Sequence, residues 1–169
     1  MSFKEISIES SIEDKMAWAK NCFQENKKVF FGDTDTDELL KKFKKAAEIS
    51  HREMARAGVE YECGKCEERE GGSCCGAGLE NRYSGVLILI NLLLGLKMPE
   101  HRLDPKSCFF LKETGCSLMA RHVICVNYLC KKITERIDAE KIAIMREKEG
   151  IELECLFLLN ERVKKVING

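Results

Sequence analysis

The sequence predicts an all-α protein, a compact bundle of about five helices in which two cysteine-rich loops form a metal site. Apolar residues recur at helical spacing over several long stretches of the chain. Glycine and proline are concentrated in two segments between those stretches, where they predict loops. Eight of the ten cysteines lie in or beside these two segments. We therefore expect the helices to form the core and the loops to form the site.

Two helices are predicted before the first cysteine. The first covers residues 11–31, and its apolar stripe consists of Ile12, Met16, Ala19, Phe23 and Phe30. The second begins in the acidic segment 33–37, where Asp35 and Glu38 have capping-box spacing. It ends near Gly58, which suits a C-terminal cap. Its inward residues are expected to be Leu40, Phe43, Ala47 and Met54.

The middle of the chain alternates between loop and helix. Residues 59–78 contain five glycines and are expected to form a loop that carries the first four clustered cysteines. A third helix is predicted from about residue 79 to residue 96. Because its second half is apolar on every side, we expect this helix to be buried at the centre of the molecule.

The last third of the chain begins irregularly, because residues 98–120 contain both prolines. A fourth helix is predicted over about 120–136 and a fifth over much of 138–167. The inner stripe of the fifth helix consists of Leu156, Leu159, Val163 and Val166. The pattern alone does not decide whether this helix is interrupted at Gly150, or whether residues 151–155, which alternate like a strand, are helical.

Charge and hydropathy argue against two classes of partner. Twenty-eight basic residues balance twenty-eight acidic residues, whereas a dedicated nucleic-acid-binding protein needs a basic excess. The longest apolar run, residues 86–96, has 11 residues and is too short to span a bilayer. The start of the chain lacks a signal-peptide pattern. We therefore expect one cytoplasmic domain over residues 1–169, with no nucleic acid and no membrane as partners; the sequence predicts no oligomeric state.

The clustered cysteines predict metal binding. The first block contains Cys63, Cys66 and the vicinal pair Cys74 and Cys75, and the second contains Cys108, Cys116, Cys125 and Cys130. Thiols stay reduced in the cytoplasm, so cysteines bunched in this way favour a metal or redox site over a disulfide framework. A C-x-x-C turn places two sulfurs within reach of one ion or of one edge of a cluster.

Geometry constrains two pairs of these cysteines. Adjacent Cα atoms lie ~3.8 Å apart, whereas unstrained disulfides need ~4.4–6.8 Å, so Cys74 and Cys75 are not expected to form a disulfide. One of them is expected to be a ligand while the other faces a second site, a substrate or the core. Cys125 and Cys130 would be separated by ~140° on an intact helix, and one of them would then pack rather than bind metal.

Eight thiols exceed the four that one zinc ion or one four-iron cluster uses. Either the protein has two metal sites or some of the eight thiols are not ligands, and the sequence does not decide between these alternatives. Cys22 and Cys155 lie outside the two blocks and are expected to be small core residues. Arg121 is the expected cofactor-binding cation, because a guanidinium near thiolates offsets their charge and donates hydrogen bonds to sulfur. The three histidines are expected to be exposed or packed rather than ligands.

These residues resemble the CxxCxxCC family of zinc- or iron-chelating domains, also called YkgJ-like, which is related to the flagellin lysine N-methylases. The family combines C-x-x-C, a vicinal pair, C-x-F-L, a further cysteine and R-P-x-x-C. The chain matches it with Cys63 and Cys66, Cys74-Cys75, Cys108-Phe-Phe-Leu111, Cys116 and Arg121-His-Val-Ile-Cys125. The resemblance covers about residues 63–130.

The chain departs from the family in ways that leave the ligand set open. Seven residues separate Cys66 from Cys74, where the family has two or three, and His122 replaces the proline. The family's aromatic residue after the cysteine at position 116 is also missing. The resemblance implies a bound zinc or iron, and the relatives of the methylase favour iron.

The leading hypothesis is a cysteine-ligated iron–sulfur cluster, most simply 4Fe-4S, with a role in electron transfer, in redox sensing or in supporting an unknown protein partner. One alternative is a structural zinc module for protein–protein contact. Another is a metal-dependent protein-modifying enzyme, either methyltransferase-like or a thiol oxidoreductase, although no cofactor loop supports a methyltransferase. Whether the protein is an enzyme is left open.

Overall fold

Long helices make up most of the computed structural model, which describes residues 4–70 and 74–169, without the side chains of 66–70. The all-α fold class is confirmed. A 3₁₀ turn, Leu79–Arg82, precedes α4, and a hairpin of β1, Leu111–Lys112, and β2, Gly115–Cys116, precedes α5. The helices are α1 Ile12–Gly32, α2 Thr34–Ala57, α3 Val59–Glu70, α4 Gly85–Leu93, α5 Val123–Asn127, α6 Lys131–Arg136 and α7 Ala139–Asn168.

The first two helices follow the predicted pattern. Asp33 is the N-cap of α2, and its carboxylate accepts a hydrogen bond from the Thr36 amide at 2.9 Å. The predicted helix start is therefore confirmed, although Asp33 caps the helix rather than the Asp35 and Glu38 pair. Gly58 closes α2 with φ 91°, a conformation in which glycine avoids Cβ strain. In the inner stripes only Phe23 and Met54 are half-buried, while the other residues are buried.

Helix α4 is the buried centre of the main core, as predicted. It is shorter than expected, because Ser84 caps it by accepting from the Leu87 amide at 3.1 Å and the preceding residues form the 3₁₀ turn. Gly85 lies against α1 so closely that an added Cβ would come within 2.6 Å of the Trp18 ring. This contact lets the two helices approach more closely than side chains would allow.

The expectation of a loop over 59–78 is wrong for its first part, since residues 59–70 form α3. This helix contains a single glycine, Gly64, and Glu60 and Glu62 lie in its first turn, where the helix dipole favours acidic residues. The C-x-x-C of the first block therefore lies on a helix. Residues 71–73 of the predicted loop lie outside the described residues.

The predicted helix over 120–136 is broken into α5 and α6. Arg146 on α7 donates hydrogen bonds to the carbonyls of Val126, at 3.5 Å, and Asn127, at 2.5 Å. These bonds satisfy carbonyl groups that a continuous helix would have used. Helix α7 itself runs without a break through Gly150, and the strand-like stretch 151–155 is helical, because it packs against α2 along its length.

None of the helices in 4–70 and 74–169 combines the length and the hydropathy needed to cross a membrane.

Replacing Asp33 with alanine is expected to lower the free energy of unfolding by about 1–2 kcal/mol, the usual effect of losing an N-cap. The Asp33 carboxylate accepts from the Thr36 amide and, at 2.9 Å, from Arg162 Nε on α7. Urea unfolding of Asp33→Ala and Asp33→Asn measures the change. Asparagine keeps a capping oxygen, so Asp33→Asn should lose less than Asp33→Ala.

The difference in unfolding free energy between wild type and Asp33→Asn is expected to depend on pH. Hydrogen bonds from Arg162 and then Thr36 hold the pKa of Asp33 well below its ordinary value. A carboxyl with a depressed folded-state pKa stabilises the protein above its unfolded-state pKa of about 4 and loses that effect as the pH falls further. The difference between wild type and Asp33→Asn should therefore be constant near pH 7 and shrink below pH ~4. A difference that grows on acidification would contradict this.

Candidate metal centre

A cavity of about 1270 Å³ lies between α3, the 3₁₀ turn, the hairpin, α5 and α6. Cysteines from both sequence blocks contribute to its wall. They are Cys63, Cys74, Cys75, Cys108, Cys116, Cys125 and Cys130. The side chain of Cys66, the remaining predicted ligand, lies outside the described residues. The fold thus brings the two blocks, which begin 45 residues apart in sequence at Cys63 and Cys108, to one space.

A short antiparallel contact joins the two blocks. The Cys108 amide donates to the Cys75 carbonyl at 2.7 Å, and the Ala77 amide donates to the Lys106 carbonyl at 2.8 Å. Between them, Gly76 and Ser107 form an isolated β-bridge. The vicinal pair and Cys108 are therefore positioned by main-chain hydrogen bonds rather than by side-chain packing alone.

Glu80 stabilises this contact through hydrogen bonds to the main chain. It is 2% exposed and accepts hydrogen bonds from the Gly78 amide at 3.0 Å and the Phe109 amide at 3.4 Å. Arg102 pairs with the Glu80 carboxylate and also donates to the Ser107 carbonyl. Burial alone would raise the pKa of Glu80, but the hydrogen bond from Arg102 lowers it below its usual range. An ionised Glu80 therefore bridges the main chain of both blocks.

Asn91 positions the next part of the wall from inside the apolar helix α4. Its amide group donates to the carbonyls of Leu87 and Ala120, both at 2.9 Å. Its oxygen accepts from the amides of Met119 at 3.0 Å and Ala120 at 2.9 Å. All four hydrogen-bonding positions of this buried side chain are used. The segment between Cys116 and Arg121 is thereby fixed to the core.

The break between α5 and α6 turns two further cysteines toward the cavity. Cys125 lies on α5, which His122 caps by accepting from the Ile124 amide at 3.2 Å. Cys130 lies at the N-cap position of α6. Because the helix is not continuous, the ~140° separation expected for an intact helix does not apply, and both cysteines line the cavity.

The cavity cysteines fall into two groups. Cys63 and Cys130 pack with a small apolar cluster formed by Ala57, Val59, Ile133 and Met145. The other five act on one another electrostatically, and we call them the inner thiols. The inner thiols are Cys74, Cys75, Cys108, Cys116 and Cys125.

Burial is the main influence on most of the inner thiols. It raises the pKa of Cys108 to about 11 and raises the pKa values of Cys116 and Cys125 as well. A hydrogen bond from the Cys75 thiol lowers the pKa of the more exposed Cys74. The Tyr83 hydroxyl donates to Cys125 Sγ at 3.6 Å. Deprotonating several of these thiols together therefore requires a compensating cation.

Arg121 provides a buried positive charge beside this group. It is 9% exposed, and among the described residues its Nε and Nη2 atoms have no hydrogen-bond partner. Its nearest carboxylate oxygen, on Glu152, is 3.9 Å from Nη2, beyond hydrogen-bond distance. The Arg121 charge opposes the effect of burial on the pKa values of Cys116 and Cys125. The predicted cofactor-binding cation thus lies on the cavity wall with donors to spare.

Sequence reasoning missed a polar cluster behind Arg121. His51, expected to be exposed or satisfied, lines the cavity, and its Nε2 atom has no hydrogen-bond partner in the part of the chain that the structure describes. Burial and then the Arg121 charge lower the pKa of His51 to about 4, so the ring is neutral at pH 7. Glu152 is fully buried, its Oε1 atom lies 3.9 Å from both Arg121 Nη2 and His51 Nε2, and burial raises its pKa. No motif could reveal this cluster, because it forms only where α2 packs on α7.

The sulfurs are not gathered around a single point. Among the residues whose side chains are described, no three His, Cys, Asp or Glu side chains are close enough together to hold one metal ion. The structure therefore shows the cysteines of both blocks around a common cavity, while the ligation predicted from sequence stays a prediction.

Comparison of the chain with family models, with curated proteins and with solved structures found no match.

Replacing Asn91 with leucine is expected to lower the free energy of unfolding by about 2–3 kcal/mol, because it leaves buried amides of Met119 and Ala120 without an acceptor. Denaturant unfolding measures the change. The matched control is Asn26→Leu, since Asn26 makes its hydrogen bond to the Cys22 carbonyl from a half-buried position on α1. Equal losses in the two variants would contradict the role given to Asn91.

Proposed function

We propose that this protein binds a cysteine-ligated iron–sulfur cluster, most simply of the four-iron type, in the cavity between α3, the hairpin and α5. Its role would be electron transfer, redox sensing or the support of a protein partner. The observation that carries this proposal is the presence of seven cysteines, from two separate sequence blocks, on the wall of one cavity. The resemblance to the CxxCxxCC family points the same way.

A cluster makes a looser demand on the positions of the sulfurs than a single zinc ion does. Two ligands of one zinc ion lie at most about 4.6 Å apart, since each Zn–S bond is ~2.3 Å long. The described side chains offer no group of three that meets such a requirement. A cluster has several metal atoms, each bound by its own cysteine, and so suits sulfurs arranged around a larger space.

The surroundings of the inner thiols suit a bound anion. Thiolates and cluster sulfides accept hydrogen bonds, and the unpaired Nε and Nη2 atoms of Arg121 are donors in need of an acceptor. Lysines and arginines line the cavity toward α3 and α6 together with glutamates, and Glu62 pairs there with Lys65 and Arg136. When bound, the cluster would supply one-electron transfer, while the cysteines would hold it and Arg121 would offset its charge.

We assign the ligands to the inner thiols. We choose Cys75, Cys108, Cys116 and Cys125, because the main-chain contact positions Cys75 and Cys108, Asn91 fixes the segment that follows Cys116, and the His122 cap positions Cys125. Cys74 is more exposed than its neighbour Cys75 and is left as the spare thiol of the vicinal pair.

Anaerobic purification, followed by visible absorption and by iron and sulfide assays, tests the proposal. Wild type should be coloured, with iron and sulfide in equal amounts, and Cys116→Ser and Cys125→Ser should lose most of both. Cys155→Ser is the matched control and should keep them, because Cys155 lies on α7 away from the cavity wall. A colourless protein with stoichiometric zinc would replace this proposal with the structural zinc module.

If the cluster is present, Arg121→Gln should lower its midpoint potential by about 60 mV, a tenfold change in the one-electron equilibrium. Reduction adds negative charge to the site, and the neutral variant no longer stabilises that charge. Arg121→Lys keeps the charge and should shift the potential much less. Redox titration monitored by absorption measures both variants at matched iron content. A potential that is unchanged in Arg121→Gln would show that Arg121 does not act on the cluster.

A further inference from the structure

A second, smaller pocket, which we call the outer pocket, adjoins the cavity of the candidate metal centre. Its volume is about 340 Å³, at the lower end of the range for pockets that hold small molecules. It shares every lining residue except Ile124 with the cavity, so the two spaces meet at the same side chains. The residues that line the outer pocket are Cys74, Cys75, Leu79, Ile124, Cys125 and Tyr128.

The outer pocket has a floor that belongs to the core and a rim that is open to solvent. The floor residues are half-buried and pack against the main core, and they are Cys75, Leu79 and Cys125. The rim residues are exposed, and they are Cys74, Ile124 at 43% and Tyr128 at 55%. A small molecule can therefore enter from solvent and reach the sulfurs that face the cavity.

Main-chain hydrogen bonds hold each side of the outer pocket. On one side the Cys75 carbonyl accepts from the Cys108 amide at 2.7 Å, and on the other the Tyr128 amide donates to the Ile124 carbonyl at 3.0 Å. The vicinal pair and the rim of α5 are thus each positioned by the backbone rather than by side-chain packing alone.

The lining favours an uncharged ligand that reacts with sulfur. Among the described residues, none that line the outer pocket carries a charged side chain, so a phosphate or a similar ion would have no partner there. Ile124 and Tyr128 offer an aliphatic side chain and an aromatic ring beside the Cys74 thiol. An organic disulfide with apolar groups matches both features, because thiolates attack the sulfur atoms of disulfides.

We propose that the outer pocket binds a small, uncharged organic disulfide and that Cys74 is the nucleophile that reacts with it. The choice of Cys74 rests on the proposed function, in which Cys75 and Cys125 bind the cluster and Cys74 is the spare thiol. The Cys74 thiolate attacks one sulfur of the disulfide, and a bond forms between that sulfur and Cys74 Sγ. The original S–S bond breaks, and the other half leaves as a thiolate, which takes up the proton that Cys74 released. One disulfide is consumed and one is formed, so the exchange needs no other oxidant or reductant.

Reaction with dithiodipyridine, an uncharged aromatic disulfide, tests the proposal. One equivalent is added to anaerobically purified protein, the released thiopyridone gives the rate, and peptide mass spectrometry gives the position. Cys74 should react faster than Cys155, a half-buried thiol of α7 that lines neither space. Tyr128→Ala should slow the reaction of Cys74 about tenfold, because the aromatic ligand loses its contact with the ring, and should not affect Cys155.

Two controls separate a pocket from a thiol that is merely exposed. Tyr61→Ala removes an exposed tyrosine of α3 that lines neither space, and it should leave the Cys74 rate unchanged. Oxidised glutathione is larger and charged, so its reaction with Cys74 should not depend on Tyr128. A Cys74 rate with dithiodipyridine that Tyr128→Ala leaves unchanged would overturn the outer pocket as a binding site. Faster reaction at Cys75 or Cys125 than at Cys74 would overturn the choice of nucleophile.

Iron and sulfide assays of the same samples test the proposed function separately. Cys74→Ser should abolish the fast reaction and keep the iron and sulfide, whereas loss of both would show that Cys74 is a ligand and would overturn its role as nucleophile. A protein without iron and sulfide whose Cys74 still reacts in a Tyr128-dependent way would overturn the proposed function and retain the outer pocket.

Discussion

The main-chain contact between residues 75–77 and 106–108 is the constraint on which the site depends. It consists of two hydrogen bonds around one β-bridge, yet it joins segments that come from opposite sides of the buried helix α4 in sequence. Buried Glu80 and half-buried Arg102 stabilise it with an ion pair. Without this contact, the vicinal cysteines would belong to a glycine-rich segment with no fixed relation to the second block.

A few buried polar residues, whose hydrogen-bonding positions are all used, connect the apolar core to the site. Asn91 stands in a helix that is otherwise hydrophobic, and its four hydrogen bonds fix the chain that leads to Arg121. A buried polar group of this kind specifies one arrangement, because any other leaves it unpaired. The polar cluster of His51, Glu152 and Arg121 is the opposite case. Among the described residues, atoms of Arg121 and His51 on the cavity wall lack a hydrogen-bond partner, which water or a ligand can supply.

Local signals in the sequence predicted the long helices and failed where distant residues decide the structure. Asp33 and Gly58 mark the ends of α2 through interactions with their own neighbours. The break between α5 and α6 depends instead on Arg146, which comes from another helix. The clustering of the cysteines could be read directly, but their division into inner thiols and the Cys63–Cys130 group required the packing of α3 and α6. His51 was missed for the same reason.

Gly85 limits how this protein can vary in sequence. Even an alanine at this position would collide with the indole of Trp18 and with Ile6, whose Cγ2 atom lies 2.8 Å from the added carbon. Helix α4 would have to shift, and this shift would also move Asn91, which lies six residues further along the same helix. A methyl group introduced at the contact between α1 and α4 would thus disturb the segment that carries Arg121. Position 85 should consequently tolerate fewer replacements than most of the residues that line the cavity itself.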